Sequence, residues 1–184
     1  NTAYYIGSLA GALGSSAPSI SLSDVDVQVN NIEITTSYSD NDSDAYYVGG
    51  IVGYGAVSNV DVVIYGNIAA EGKGLFYVGG VTGAGSVKAT NVTFCEGAEK
   101  ISANSSDKSG SCVAIASAYT FSDITFSDVQ IENANTSAVR IRLEGSQTGY
   151  AGGLAGYLPT STTNQVYRLK VDDSIQVNGV FEVS

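Results

Sequence analysis

"AYYVGGIVGYG", residues 45–55, opens like a strand and is then interrupted by glycine again and again. Its aromatic and β-branched residues favour extended backbone, whereas Gly49, Gly50, Gly53 and Gly55 weaken any ordinary strand. Nearly the same phrase returns as "LFYVGGVTGAG" (75–85), and it stands earlier as "AYYIGSLAGAL" (3–13) and later as "GYAGGLAGYL" (149–158). Such repetition calls for an architecture that makes one bend many times over.

Aligning the phrases puts Ile6, Val48, Val78 and Ala151 in one column, and "SCVAIASAY" (111–119) fits as a degenerate copy with Cys112 in that column. The spacings are then 42, 30, 34 and 39 residues, in the range of solenoids and propellers. A second phrase follows each first one: "SDVDVQV" (23–29), "SNVDVVI" (58–64), "TNVTFCE" (90–96), "SDITFSD" (122–128) and a weaker "VYRLKV" (166–171). Its four clear copies alternate, with Val25, Val27, Val60, Val62, Val92, Phe94, Ile124 and Phe126 on one side, and read as half-buried strand. A third phrase closes the unit: "NIEIT" (31–35), "NIAAE" (67–71), "KISAN" (100–104), "VRIRLE" (139–144) and "SIQVNGVFEV" (174–183).

Three short strands per unit and no amphipathic helix predict an all-β parallel β-helix, or β-solenoid, with three strands per coil and about five coils. The whole of 1–184 is then one repeat array, with coils at about 1–44, 45–74, 75–108, 109–147 and 148–184. Each coil climbs about 4.8 Å. A propeller blade needs four antiparallel strands in about 40–50 residues, longer than the shortest unit here. An immunoglobulin-like sandwich would not demand one phrase at equivalent positions. In a β-helix, Gly49, Gly50, Gly79, Gly80, Gly152 and Gly153 mark bends where a Cβ would strike a neighbouring coil. Tyr5, Tyr47 and Tyr77 should stack, and Leu9, Ile51, Val81, Ile115 and Leu154 should fill the lumen.

"YYVGGIVGYG" and "FYVGGVTGAG", each followed by a "SNVDV"-type strand, resemble the GLUG motif of large bacterial surface proteins and adhesins. The resemblance covers four clear turns and one decayed one. It implies a solenoid, extracellular, non-catalytic segment and supplies no active-site residues.

Composition limits the partners. Net charge is −10 with a pI near 4.1, which disfavours nucleic acid and anionic membrane surfaces. No run of about 18 apolar residues suits a bilayer, so no membrane insertion is expected. The acidic, Ser/Thr/Asn/Gly-rich and lysine-poor chain leans toward an extracellular or cell-surface setting. There is no initiator Met and no polar cap at either end, which leaves a slice of a longer array or head-to-tail self-association into a filament.

The candidate sites are few. Asp24, Asn59, Asn91 and Asp123 precede the first apolar residue of their phrases and are expected to form a corner ladder of Asx side chains. Asp26 and Asp61 should project from adjacent coils, joined along the column by Thr93, Thr125 and Arg168. A carboxylate pair at that spacing would suit a retaining glycosidase, but the chain has no His and no convergent cation, so no enzyme is expected. Thr93 and Thr125 are too few for an ice-binding face.

"SDNDSDA" (39–45) places Asp40, Asp42 and Asp44 at the start of a calcium-loop pattern, which then wants Gly at its sixth position and a late Glu, whereas Ala45 and Tyr46–Tyr47 follow. No cofactor and no firm metal site follow. Asn41, Asn91, Asn104 and Asn135 head N-x-[ST] sequons, and in a chain secreted by a eukaryote sugar is expected at Asn104 and Asn135. Cys95 and Cys112 form either a disulfide or two buried thiols. The tyrosines at 38, 54 and 157 keep a carbohydrate-binding module open as the alternative to a structural filament or adhesin segment.

Overall fold

The computed structural model describes residues 2–13, 19–21, 26–37, 44–106, 110–120, 125–145, 149–158 and 165–181. Every pairing between described strands is parallel. The first turn of chain contains β1 (Ala3–Gly7), β2 (Ala10–Ala12), β3 (Ser19–Ser21), β4 (Asp26–Val29) and β5 (Ile32–Thr35). The second contains β6 (Ala45–Gly49), β7 (Val52–Tyr54), β8 (Ala56–Ile64) and β9 (Ile68–Gly72). The third contains β10 (Leu75–Gly79), β11 (Thr82–Ala84), β12 (Val87–Phe94) and β13 (Lys100–Ser105). The fourth contains β14 (Ser111–Ala114), β15 (Ser117–Tyr119), β16 (Thr125–Asn133) and β17 (Val139–Gly145). The fifth contains β18 (Gly149–Gly152), a single bridge at Ala155, β19 (Gln165–Val171) and β20 (Ile175–Phe181).

Four sheets result, visited in the same order in each turn. Sheet I is β1-β6-β10-β14-β18, sheet II is β2-β7-β11-β15, sheet III is β3/β4-β8-β12-β16-β19, and sheet IV is β5-β9-β13-β17-β20. The arrangement is consistent with a β-solenoid. Four sheets appear where three strands per coil were expected, because the glycine phrase makes two strands. Its first half joins sheet I, its second half joins sheet II, and the two halves press together.

That contact explains the glycines. A Cβ on Gly49 would lie 1.9 Å from the carbonyl oxygen of Val52, three residues on in the same turn. One on Gly50 would lie 2.0 Å from the carbonyl of Gly80 in the next turn. One on Gly53 would strike the backbone of sheet I at Ile6 and Tyr47, at 2.5 and 2.6 Å. Glycine is therefore required by close approach of backbone to backbone. The same clashes recur at Gly79, Gly80 and Gly152, but Gly153 faces open space within 4 Å because no described turn lies beyond it.

The interior is a set of stacked apolar columns. Ile6, Val48, Val78, Val113 and Ala151 stand in register in sheet I. Val27, Val62, Val92, Ile131 and Val171 do so in sheet III. Ile32, Ile68, Ile101, Ile141 and Val177 do so in sheet IV. The third phrase thus falls on β5, β9, β13, β17 and β20, as its spacing predicted.

Two registers differ from expectation. Cys112 lies opposite Tyr77, and Val113 takes the Val48 column. By the same slip, Ala116 occupies the place expected for Ile115, whose side chain is buried one position earlier. Leu9, expected in the lumen, is half exposed on the first turn. In sheet III the phrase "SDITFSD" falls on a different part of its strand: Ile131 and Asn133, not Ile124 and Phe126, stand beside Val92 and Phe94. Val25 and Ile124 lie outside the described residues.

The cause of the second shift is a backbone irregularity that no apolar pattern shows. Asn59, Ala89, Asp128 and Arg168 each have φ between 53° and 55°, or 45° for Ala89, and each falls between paired residues of successive strands of sheet III. A left-handed residue on every long strand bends the sheet at one level. Ala is the least suited to it, since its Cβ crowds the following carbonyl.

Ala89→Gly should raise stability by about 1 kcal/mol in denaturant unfolding, because Ala89 is exposed and loses only strain. Gly50→Ala should cost about 3 kcal/mol or more, whereas Gly153→Ala, in the same column, should change stability by less than about 0.5 kcal/mol.

Candidate functional site

The most organised surface lies where sheets I and II meet. Residues seven apart pair across the corner in every turn: Tyr5 with Ala12, Tyr47 with Tyr54, Tyr77 with Ala84, Cys112 with Tyr119, and Tyr150 with Tyr157. One member of each pair sits in sheet I, the other in or beside sheet II. Where one column carries a small residue, the other carries a ring. Tyr77 and Tyr119 accordingly meet across the gap left by Ala84 and Cys112, their ring centroids 4.8 Å apart.

Seven tyrosines become one continuous aromatic ridge. Tyr5 stacks on Tyr47 at 5.2 Å and Tyr47 on Tyr77 at 4.7 Å, with planes 17° and 15° apart. Tyr54 leans on Tyr5 and Tyr47, Tyr119 stacks on Tyr157 at 5.2 Å, and Tyr157 meets Tyr150 at 5.0 Å. The predicted stacking of Tyr5, Tyr47 and Tyr77 is therefore present, and a second ladder of Tyr4, Tyr46 and Phe76 runs on the opposite, inward face of sheet I. Each such contact adds about 0.5–1.5 kcal/mol beyond area burial.

Burial sets the chemistry of this ridge. It raises the Tyr47 phenol, with the neighbouring phenols adding to the effect. Tyr77 is pushed up to about 12 by burial and by Cys112, and the Cys112 thiol to about 12 by burial. Cys112 donates its S–H to the Gly110 carbonyl at 3.2 Å. Cys95, half-buried after the end of β12, and Cys112, buried, are both free thiols, so of the two alternatives left open by the sequence it is the thiols that are present. Cys112 is committed to the corner between sheets I and II, whereas the Cys95 backbone hydrogen-bonds to Ile64 and Ala98.

Tyr5, Tyr47, Tyr77, Tyr119 and Tyr157 each have a ring face stacked on another ring. Sugar recognition by stacking uses ring faces, and Tyr157 has one of its two on Tyr119, whereas Tyr54 meets Tyr5 and Tyr47 at tilted and edge-on angles; Tyr38 lies outside the described residues. Two clefts, of about 210 Å³ beside Thr36, Glu71, Lys73 and Asn104 and about 190 Å³ beside Glu132, Lys170 and Asp172, are smaller than a usual ligand pocket.

The outward face of sheet III carries the carboxylates. Asp26 and Asp61 are exposed and adjacent in the ladder, as expected. The column continues through Asn91, Gln130 and Lys170, however, and not through Thr93, Thr125 and Arg168. Asn91 donates its Nδ2 hydrogen to Asp61 Oδ1 at 2.6 Å. Arg168 instead pairs with Asp128 one turn below, donating from Nη2 to Oδ2 at 2.7 Å, and this holds the Asp128 carboxyl below its ordinary value.

The expected corner ladder is also corrected. Asn59 stands beside Ala89, and Asn91 beside Asp61, so the two asparagines belong to different columns. Asp24 and Asp123 lie outside the described residues. A true Asx ladder exists where sheet III turns into sheet IV: Asn67 N–H donates to Asn31 Oδ1 at 2.8 Å, and Glu99 and Lys100 N–H donate to Asn67 Oδ1 at 3.0 and 2.9 Å. The shared Asn-Ile opening of "NIEIT" and "NIAAE" was its sequence signal.

Asp40 and Asp42 lie outside the described residues. Asp44 is buried and accepts a hydrogen bond from Thr2 N–H at 2.7 Å, which ties the first turn to the second and commits this carboxylate to the backbone. Among the described residues no cluster of three or more His, Cys, Asp or Glu suits a metal. Of the sequons, Asn41 lies outside the described residues and Asn91 is exposed. Asn104 is half-buried within β13, not in an insertion, and the half-buried Asn135 donates Nδ2–H to the Ala98 carbonyl at 3.1 Å.

No family model, no curated protein and no solved structure matches the chain.

Native protein should consume one equivalent of a thiol reagent at pH 8, at Cys95, and two after denaturation. Raised folded-state values mean that stability is full below about 9 for Cys112 and about 10 for Tyr77, and is lost as pH rises toward about 12. A falling unfolding midpoint across that window, with no matching fall below it, is the expected titration.

Proposed function

We propose that the chain is a structural β-solenoid segment of an extracellular surface protein, a filament subunit or adhesin stalk, extended by end-to-end stacking of its turns. Its work is mechanical: backbone ladders and apolar columns give stiffness, and outward positions carry sugars or contacts. One observation carries this reading. Of the eight exposed large apolar side chains among the described residues, seven belong to the first or last turn, Tyr65 being the exception. Middle turns hide their apolar columns under neighbours, and the two outer turns present the same columns to solvent.

Exposed apolar residues on sheet edges invite pairing with further backbone. The resemblance of the Gly-Gly phrase to the GLUG motif points the same way. Among the described sequons, Asn91 is the best placed to carry sugar by exposure, though a glycan there would replace its bond to Asp61.

Negative-stain microscopy across a concentration series tests the assembly. Rods several units long are expected as concentration rises. Uniform single particles at the highest concentration would overturn end-to-end stacking.

A further inference from the structure

The proposed stacking leaves open what occupies each end, and charge gives an answer. The first 72 residues contain eight of the 18 acidic residues and none of the eight Lys and Arg. All basic side chains therefore lie from Lys73 onward, and the chain is polarised along the direction in which its turns stack. The gradient is repeated within one column on the outward face of sheet III. It runs Asp26, Asp61, Asn91, Gln130, Lys170, from acid at the first turn through neutral amides to base at the last.

Resting on the solenoid reading above, we infer that the occupant of each end is a second copy of this chain, joined tail to head in continued register. Lys170 of one copy then lies beside Asp26 of the next. Within a single copy Asp26 stacks against Asp61, a like charge, and opposing like charges in a ladder are unfavourable. Among the described residues Lys170 pairs with Glu132, at 3.5 Å, with its side chain about two-thirds exposed. Such a pair holds its lysine weakly. A tail-to-head joint relieves the first and redirects the second.

The apolar columns continue across the same joint. Val171 would follow onto Val27, and Val177 onto Ile32, each pair already belonging to one column. Tyr150, 43% exposed, would meet Tyr5, 41% exposed. Gly153 completes the case. Its counterparts Gly50 and Gly80 lie under a carbonyl of the next turn, whereas a Cβ on Gly153 would meet no atom of the described residues within 4 Å. An added turn would cover it.

A head-to-head joint would oppose Asp26 with Asp26 and is disfavoured by the same charges. A different protein of opposite polarity would have to reproduce four columns at once, which a second copy does without further requirement.

Sedimentation velocity on the full chain, with unfolding followed in parallel, tests the joint. Asp26→Lys and Lys170→Asp should each weaken self-association about two- to fivefold, the range for an exposed pair. The double exchange Asp26→Lys with Lys170→Asp should restore it to within about twofold. Gly153→Val should weaken association at least about tenfold while leaving the monomer's unfolding midpoint unchanged. If wild type associates but the double exchange fails to recover and Gly153→Val has no effect, the registered joint is overturned and end-to-end stacking by another contact survives. If wild type stays monomeric throughout, both fall.

Discussion

Parallel ladders place every residue about 4.8 Å from its counterpart in the turns above and below, and the rest of this molecule follows from that constraint. A position is not judged alone but as a member of a column up to five deep. A Cβ that fits its own turn fails if the next turn's carbonyl already fills the space, as at Gly50 beneath Gly80. An aromatic ring that would be half-solvated alone becomes buried when its neighbours are rings too, as at Tyr47 between Tyr5 and Tyr77. Even the left-handed residue of sheet III is shared by four successive strands, because one straight strand would break register with bent neighbours.

Columns also compensate one another. The fourth turn departs most from the repeated phrase and shows how. Cys112 stands where other turns have tyrosine, and Tyr119 fills the space from the sheet II side. Ala116 is smaller than the Ile51 and Val81 of its column, and Ile115 is buried beside it. Ala114 occupies the column of Gly49 and Gly79, so the bend itself is built differently in this turn. At that corner a ring from one sheet fills the space that a small residue leaves in the other, as close packing demands.

Much of the parallel architecture was legible because a repeated phrase advertises repeated surroundings. "YYVGG", "YIGSL" and "YVGGV" carry the sheet I register on their face, and the tyrosine ladder followed from it directly. The third phrase was equally readable, since alternating isoleucines leave one face only for the core. Errors arose where pattern and register part company. Valine alternates with period two, so a shift by two residues looks identical on paper, and it moved Asn91 from the Asp61 column to the Asn59 column. The left-handed residue at Asn59 and its fellows has no single composition, being Asn, Ala, Asp and Arg, so nothing marked it. The two cysteines left a bridge and two thiols equally open, because a bridge depends on direction and distance, which spacing does not hold.

The sequence alone determined that the chain is built of repeated strands, that glycine interrupts one phrase in each repeat, and that charge is segregated from one end to the other. Those are properties of order along the chain. Tertiary structure decided that the glycine phrase divides between two sheets, that seven tyrosines from two columns join in one ridge, and that Asp26 and Lys170 stand in one column four turns apart. These are facts of distance between residues far apart in sequence, and only the closing of each turn upon the last brings such residues together.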